Sequence, residues 1–257
     1  MLIEFYKYQG TGNDFIIINN FNQEFKIIGT ETIVKMCDRK FGIGADGLMV
    51  IEKSSAADFK LTFYNPDGSE SFCGNGSRCA VKFTKDIHLI HKTEINFEAF
   101  DGMHKAIVNV DSVTITMRDV NEVEQDANGI FINTGSPHLV IEKNNVDEVK
   151  IIDEGSKLRY HKLYEPIGTN VNFIQATDTG IKIRTYEKGV EDETLSCGTG
   201  VTAAALVYAS LYKTNNKVEV LTKGGKLEVS FEQHDNAFSN VKLKGPAEFV
   251  FKGIYNG

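Results

Sequence analysis

The sequence predicts an α+β protein of two like halves, each a mostly antiparallel β-sheet wrapped around a central α-helix. Three observations predict it. Cys73-Gly74-Asn75-Gly76 is matched by Cys197-Gly198-Thr199-Gly200. Most other apolar runs are short and are punctuated by Gly, Asn and Asp, as strands joined by hairpin turns require. The run Ala203-Ala204-Ala205-Leu206-Val207 has almost no polar face, so a helix there is buried on all sides.

The elements follow in order. Leu2 to Lys7 alternates as a strand does, and Phe15 to Ile18 is a second strand. Thr30 is placed to cap a short amphipathic helix to Arg39 that turns Ile33, Val34 and Met36 inward. Gly47 to Ile51 and Leu61 to Asn65 are strands; the second enters the acidic turn Asp67-Gly68-Ser69-Glu70 and then the first Cys motif. The helix that follows carries Ala80-Val81-Lys82-Phe83. Asp101-Gly102 marks a tight hairpin, before strands at Ala106 to Val110 and Ser112 to Met117.

The polar stretch Asp119 to Asp126 sets the expected boundary, giving halves of 1–119 and 120–246. The second half has a weaker helix near Asn145 to Glu154 and a strand at Val171 to Ile174. Ile183 to Glu187 then leads through Glu191-Asp192-Glu193 into the second Cys motif and its helix. Strands at Lys217 to Leu221 and Lys226 to Ser230 flank the hairpin Gly224-Gly225, which follows its helix at a distance similar to that of Asp101-Gly102. The last alternation, Ala247 to Phe251, suits either half, and residues 247–257 are a candidate to return to the first.

Composition excludes several classes. The 257 residues carry 41% hydrophobic and 25% charged side chains, as a globular protein does, with a net charge of −7 and no basic stripe for nucleic acid. No apolar run approaches a membrane span, and the first residues lack the layout of a signal peptide, so the expected location is the cytoplasm. Four cysteines in so long a chain do not make a disulfide scaffold. There is no C-x-x-C pair, and His88 and His91 read as a solvated helix end, so no metal is expected.

The two Cys motifs carry the chemistry. Glycine lets the backbone approach a ligand closely, and a helix start aims free N–H groups and a positive dipole end at an anion. The same field lowers a thiol's pKa and makes a thiolate base available. Two such starts, one per half, suit removal of a proton beside a bound carboxylate and its return to the other face. Cys37 and Cys79 lack the turn context of Cys73 and Cys197 and read as packing residues.

At these motifs the chain resembles the diaminopimelate epimerase family over nearly its whole length. The likeness runs through Gln9 to Phe15, Asp38-Arg39, Gly42 to Gly47, Asn65 to Glu70 and Cys73 to Cys79. It continues in Asn133 to His138, Gly168 to Phe173, Tyr186 to Val190 and Glu193 to Gly200. The resemblance implies cofactor-independent conversion of LL- to meso-diaminopimelate, on the route to lysine and peptidoglycan, by a homodimeric enzyme. It implies that Cys73 and Cys197 are the two bases and that amides around Gly74-Asn75 and Gly198-Thr199 hold the reacting carboxylate. His138 and Glu187 would lie beside the thiols and the substrate ammonium, with Asn13, Asn65, Asn170 and Lys188 at the distal end. Three positions depart from the family pattern: Lys188 stands where Arg is usual, Ser136 where many members have Asn, and Gly47 where some have Gln.

Three other readings compete. A racemase or epimerase of another amino acid would use the same two thiols. A single-acid isomerase or lyase needs only one catalytic group and leaves the second Cys motif unexplained. A redox-sensing or ligand-binding protein would show no turnover under reducing conditions.

Overall fold

In the computed structural model, residues 2–23, 29–212 and 214–257 are described. The chain divides into two compact units, residues 1–115 with 245–257 and residues 116–244.

The first unit contains β1 (Leu2–Gly10), β2 (Asn13–Asn19), α1 (Thr30–Cys37), β3 (Gly47–Glu52), β4 (Phe59–Tyr64), α2 (Gly74–Asp86), β5 (Glu94–Ala99) and β6 (Gly102–Val108). β7 (Val113–Thr116) leads into the second unit. That unit contains β8 (Val123–Gln125), β9 (Ile130–Asn133), β10 (Pro137–Glu142), α3 (Ile151–Arg159), β11 (Asn170–Ala176), β12 (Gly180–Glu187), β13 (Asp192–Thr194), α4 (Gly198–Tyr212), β14 (Lys217–Thr222), β15 (Gly225–His234) and β16 (Ala237–Gly245). The chain ends on β17 (Glu248–Asn256), which pairs with β1 in the first unit.

The strand pairings show the duplication. In the first unit the order β17-β1-β2-β3-β4-β5-β6-β7 is joined antiparallel, antiparallel, parallel, antiparallel, parallel, antiparallel, antiparallel. In the second, β8-β9-β10-β11-β12-β14-β15-β16 repeats that series without change. β13 is an added strand antiparallel to β12. In each unit a helix crosses between the second pair of parallel strands, as a parallel connection requires: α2 between β4 and β5, and α4 between β12 and β14. The architecture is α+β, with a mostly antiparallel sheet around a central helix in each unit.

Sequence explains why these helices are central. On α2 every residue from Gly74 to Val81 is buried, as are Phe83 and Thr84, and the helix packs against β1, β2, β3, β4, β6 and β17. On α4 Gly198, Gly200 to Val207 and Ala209 are buried against β9 to β12, β14 and β15. Small side chains let strands close around α4, and its outer end, at Leu211 and Tyr212, reaches solvent. The hairpins after both helices also match, with Ala99 opposite Gly102 and Thr222 opposite Gly225.

Several boundaries differ from expectation. Gly29, not Thr30, is the N-cap of α1: its carbonyl accepts from Thr32 and Ile33, and no side chain caps the helix. The helix stops at Cys37, not Arg39, because Asp38 turns to extended geometry and its Oδ1 accepts from the Lys40 and Phe41 amides at 2.7 Å each. The segment near Asn145 splits into a 3₁₀ turn, Val146–Glu148, capped by Asn145, and α3, which runs on to Arg159. β6 ends at Val108 and β7 starts at Val113, because the Asn109 amide donates to Ser112 O in a turn (2.9 Å).

Because the middle of α4 is enclosed by strands, Ala204→Leu is expected to destabilise the protein by about 1–3 kcal/mol through overpacking. Urea unfolding checks this; an unchanged midpoint would show that the helix has slack around it.

Candidate active site

Cys73 closes the approach to α2 as its N-cap, with φ −128° and ψ 112°. Its Sγ accepts the amide N–H of Gly76 at 3.4 Å, so the sulfur satisfies one of the donors that a helix start leaves without an intrahelical partner. A negative sulfur is favoured in that position by the amide and by the dipole.

Asn13 reaches the same place from the start of β2, after Thr11 and Gly12 turn the chain through positive φ. Its Oδ1 lies 4.0 Å from Cys73 Sγ and accepts from Asn75 Nδ2 at 3.4 Å. Its Nδ2 donates to Asp46 Oδ2 at 2.6 Å, which fixes the direction of the amide. Asp46 is held in turn by Arg39, whose Nη2 also pairs with Asp14 Oδ1 at 2.6 Å. Burial pushes the Asp14 carboxyl up, but the Arg39 and Lys7 contacts outweigh it and hold the group at about 2. This ionic lattice orients Asn13.

Asn65 is not among these contacts. Its Nδ2 donates to Ser69 O and Oγ, at 3.1 and 3.0 Å, and its Oδ1 accepts from Ser71, so the side chain shapes the turn ahead of Cys73. Gly47 is glycine for lack of room: a Cβ there would lie 2.5 Å from the Phe63 ring.

In the second unit Cys197 precedes α4 in the same way and is buried. Its Sγ lies 3.5 Å from Thr199 Oγ1, and Thr199 O accepts from Thr134 Oγ1 at 3.0 Å. Glu187 ends β12, where its Oε2 accepts from Thr194 Oγ1 at 2.7 Å.

His138 sits on β10, wholly buried. Its Nδ1 accepts from Asn172 Nδ2 at 3.1 Å. The direction of the Asn172 amide is fixed on both sides: Nδ2 also donates to Leu139 O (3.2 Å), and Oδ1 accepts from Thr185 Oγ1 (3.0 Å). The imidazole therefore carries its proton on Nε2, which has no partner among the described residues. Burial, and secondarily the charge of Lys188, push the His138 pKa down to about 3. At neutral pH it is a neutral ring that offers one N–H.

Asn170 ties three parts together. It donates to Ser136 Oγ and Pro137 O, both at 2.8 Å, and accepts from the Lys188 amide at 2.9 Å. Ser136 thus fills its position as a hydrogen-bond partner of Asn170.

The structure brings together Cys73, Gly74, Asn75 and Asn13 in one unit. In the other it gathers His138, Asn170 and Lys188, with Thr199 at Cys197. Sequence reasoning missed Asp46, Arg39, Thr134 and Asn172. Asn172 had a signal, since it lies two residues after Asn170 and shares its face of β11. Among the described residues no group of His, Cys, Asp and Glu could hold a metal ion, and no helix is long and apolar enough to cross a membrane.

Comparison with known proteins places this arrangement. The chain superposes on a PhzF-family phenazine biosynthesis protein from Bacillus anthracis with a TM-score of 0.81, at 13% identity and over 100% of both chains. A hydroxyproline epimerase from Agrobacterium vitis matches with a TM-score of 0.72 at 15% identity, over 98% of this chain and 92% of that one. The class defined is thus this shared α+β fold. A sequence model described as diaminopimelate epimerase matches residues 5–123 and again 130–250. A diaminopimelate epimerase from Flavobacterium psychrophilum is 50% identical over 97% of this chain and 99% of its own length. Another, from Aquifex aeolicus, is 38% identical over 98% and 97%. The chain belongs to the diaminopimelate epimerase family and, with it, to the isomerases.

The buried neutral His138 has a signature. Its folded pKa lies below the unfolded value of about 6.5, so the unfolded chain binds more protons between about 3 and 6.5. Its contribution to stability is fully present above that window and is lost as pH falls through it. Stability of the native protein should therefore rise more steeply with pH across this range than that of His138→Gln. NMR of labelled histidine should show no His138 titration between pH 5 and 8; a midpoint near 6.5 would contradict the burial argument.

Proposed function

We propose that the protein converts LL-diaminopimelate to meso-diaminopimelate without a cofactor, using Cys73 and Cys197 as paired base and acid. The observation that carries this reading is one cysteine at the start of each of two equivalent central helices, in a chain 50% identical to a named diaminopimelate epimerase.

The chemistry follows from the parts. One cysteine, as thiolate, takes the α-proton; the electron pair left behind spreads into the adjacent carboxylate. The other cysteine, as thiol, delivers a proton to the opposite face of the carbon. The product has the inverted centre, and the two sulfurs have exchanged protonation states. Hydrogen bonds from the first-turn amides after each cysteine, at Gly74-Asn75 and Gly198-Thr199, strengthen as charge moves onto the carboxylate and so favour the transition state.

In this reading Glu187 receives the substrate ammonium, and His138 offers its Nε2–H as a neutral donor. Asn13, Asn65, Asn170 and Lys188 recognise the distal end of the substrate. Lys188 meets the distal carboxylate as a point charge, where an Arg would offer a planar fork. The product serves lysine and peptidoglycan precursor synthesis in the cytoplasm, and the working form is a homodimer.

The test is incubation of reduced protein with LL-diaminopimelate in deuterium oxide, without added cofactor, followed by NMR. The expected result is meso product with deuterium at the inverted α-carbon. Absence of conversion would refute the substrate, and inversion without solvent deuterium would refute the two-base route.

A further inference from the structure

Arg78 is the largest side chain fully withdrawn from solvent among the described residues. No carboxylate pairs with it among them. Its three hydrogen bonds are long and reach neutral oxygens: Nε donates to Pro246 O at 3.4 Å, Nη1 to Gly74 O at 3.5 Å and Nη2 to Thr11 Oγ1 at 3.4 Å. Burial lowers its pKa to about 10, which still leaves it protonated at neutral pH. A buried cation with no counter-ion is costly, and the reaction proposed above does not use it.

Its placement suggests its use. Arg78 lies four residues after Gly74 on α2, and helical side chains lean back toward the N-terminus. The guanidinium therefore lies along the first turn. Gly10 of β1 makes room for it: a Cβ at Gly10 would lie 3.2 Å from Cys79 Sγ, 3.3 Å from Asn75 O and 3.4 Å from Arg78 Nη2. The Gly74 oxygen that Nη1 contacts belongs to the same peptide group as the Asn75 N–H. A cation on that oxygen polarises the group and strengthens the N–H as a donor. The helix dipole gives this end a fraction of a positive charge, and Arg78 adds a whole one from the dry side.

We propose that Arg78 is a positioning residue whose buried charge makes the start of α2 accept an anion: by its own field the Cys73 thiolate, and through the Gly74–Asn75 peptide the carboxylate of an amino-acid substrate. The carboxylate half of this inference rests on the proposed function; the thiolate half does not. Ionisable groups facing Arg78 are Cys79 of its own helix and Cys73, the N-cap of that helix. Beyond Cys79 lie Glu248 of β17 and Tyr8 of β1. Burial above all, with Cys73 and Glu248 adding to it, pushes the Cys79 thiol up against the opposing pull of Arg78, so Cys79 stays protonated and does not neutralise the guanidinium.

The experiment is substrate-free alkylation of the reduced full-length protein with iodoacetamide from pH 5 to 10, followed at Cys73 and Cys197 by peptide mass spectrometry. Native protein is compared with Arg78→Met, Arg78→Gln and Arg78→Lys. In Arg78→Met and Arg78→Gln the pH midpoint at Cys73 is expected to rise by about one unit, a tenfold loss of thiolate at a given pH, and by more than any change at Cys197. Arg78→Lys, which keeps the charge, is expected to restore most of the shift. An unchanged Cys73 midpoint in a folded Met or Gln variant overturns the proposal. Should neither fold, the Lys variant decides: a midpoint near native supports it, and a rise of a full unit overturns it. A protein with no epimerase activity but a shifted midpoint would refute the proposed reaction and leave this inference standing.

Discussion

The first turn of each central helix is packed closely against the strands beside it, most tightly at its third residue, a glycine in both units. A Cβ on Gly76 would lie 3.2 Å from Met49 Sδ and 3.4 Å from the Phe63 ring; one on Gly200 would lie 2.6 Å from Asn172 Oδ1. A helix start leaves N–H groups without an intrahelical partner. The side chain of the residue before the helix is the nearest group, and in both units it is a cysteine. In the first unit the Cys73 sulfur accepts an amide directly. Glycine at the third position and cysteine at the cap are thus one constraint: the glycine admits the packing, and the packing aims the donors at the sulfur.

The surrounding polar groups serve that constraint differently in the two units. Around Cys73 they are charged and reach the site through a chain: Arg39 holds Asp46, Asp46 holds Asn13, and Asn13 meets Asn75. In the second unit the hydrogen bonds that fix His138 come from neutral groups, while Glu187 and Lys188 supply the charges. Thr185, Asn172 and His138 form a buried relay in which each amide and ring direction is set by the next. The relay fixes the ring's tautomer and leaves one N–H, at His138 Nε2, with no partner among the described residues. The duplicated sheet supplies the same scaffold twice, and side chains of different character are grafted onto it.

Much of the fold was legible because its signals are local. The strand run Gly47 to Ile51 is apolar throughout and Val171 to Ile174 is apolar except for Asn172, and each pairs with neighbours on both sides. The polar-free face of Ala203 to Val207 implied enclosure, and the helix is enclosed. Short elements were illegible: β8, β9 and β13 are too brief for a period to show and are defined by their pairing partners. Thr30 looked like a cap because threonine often is, but the turn geometry put Gly29 there instead. At the site, the cysteines announced themselves by repetition. Asp46 and Asn172 did not, since each matters through a partner distant in sequence: Asp46 through Asn13 and Asn172 through His138.

The central claim is that the two helix starts are chemically complementary, each supplying one sulfur for one proton transfer. Steady-state turnover of Cys73→Ala and of Cys197→Ala, each shown to be folded by circular dichroism, tests it most directly. The account predicts that each variant alone loses essentially all conversion of LL- to meso-diaminopimelate, in both directions. Retention of more than a few per cent of native turnover by either one would contradict it, because a single remaining thiol cannot serve both faces of the carbon.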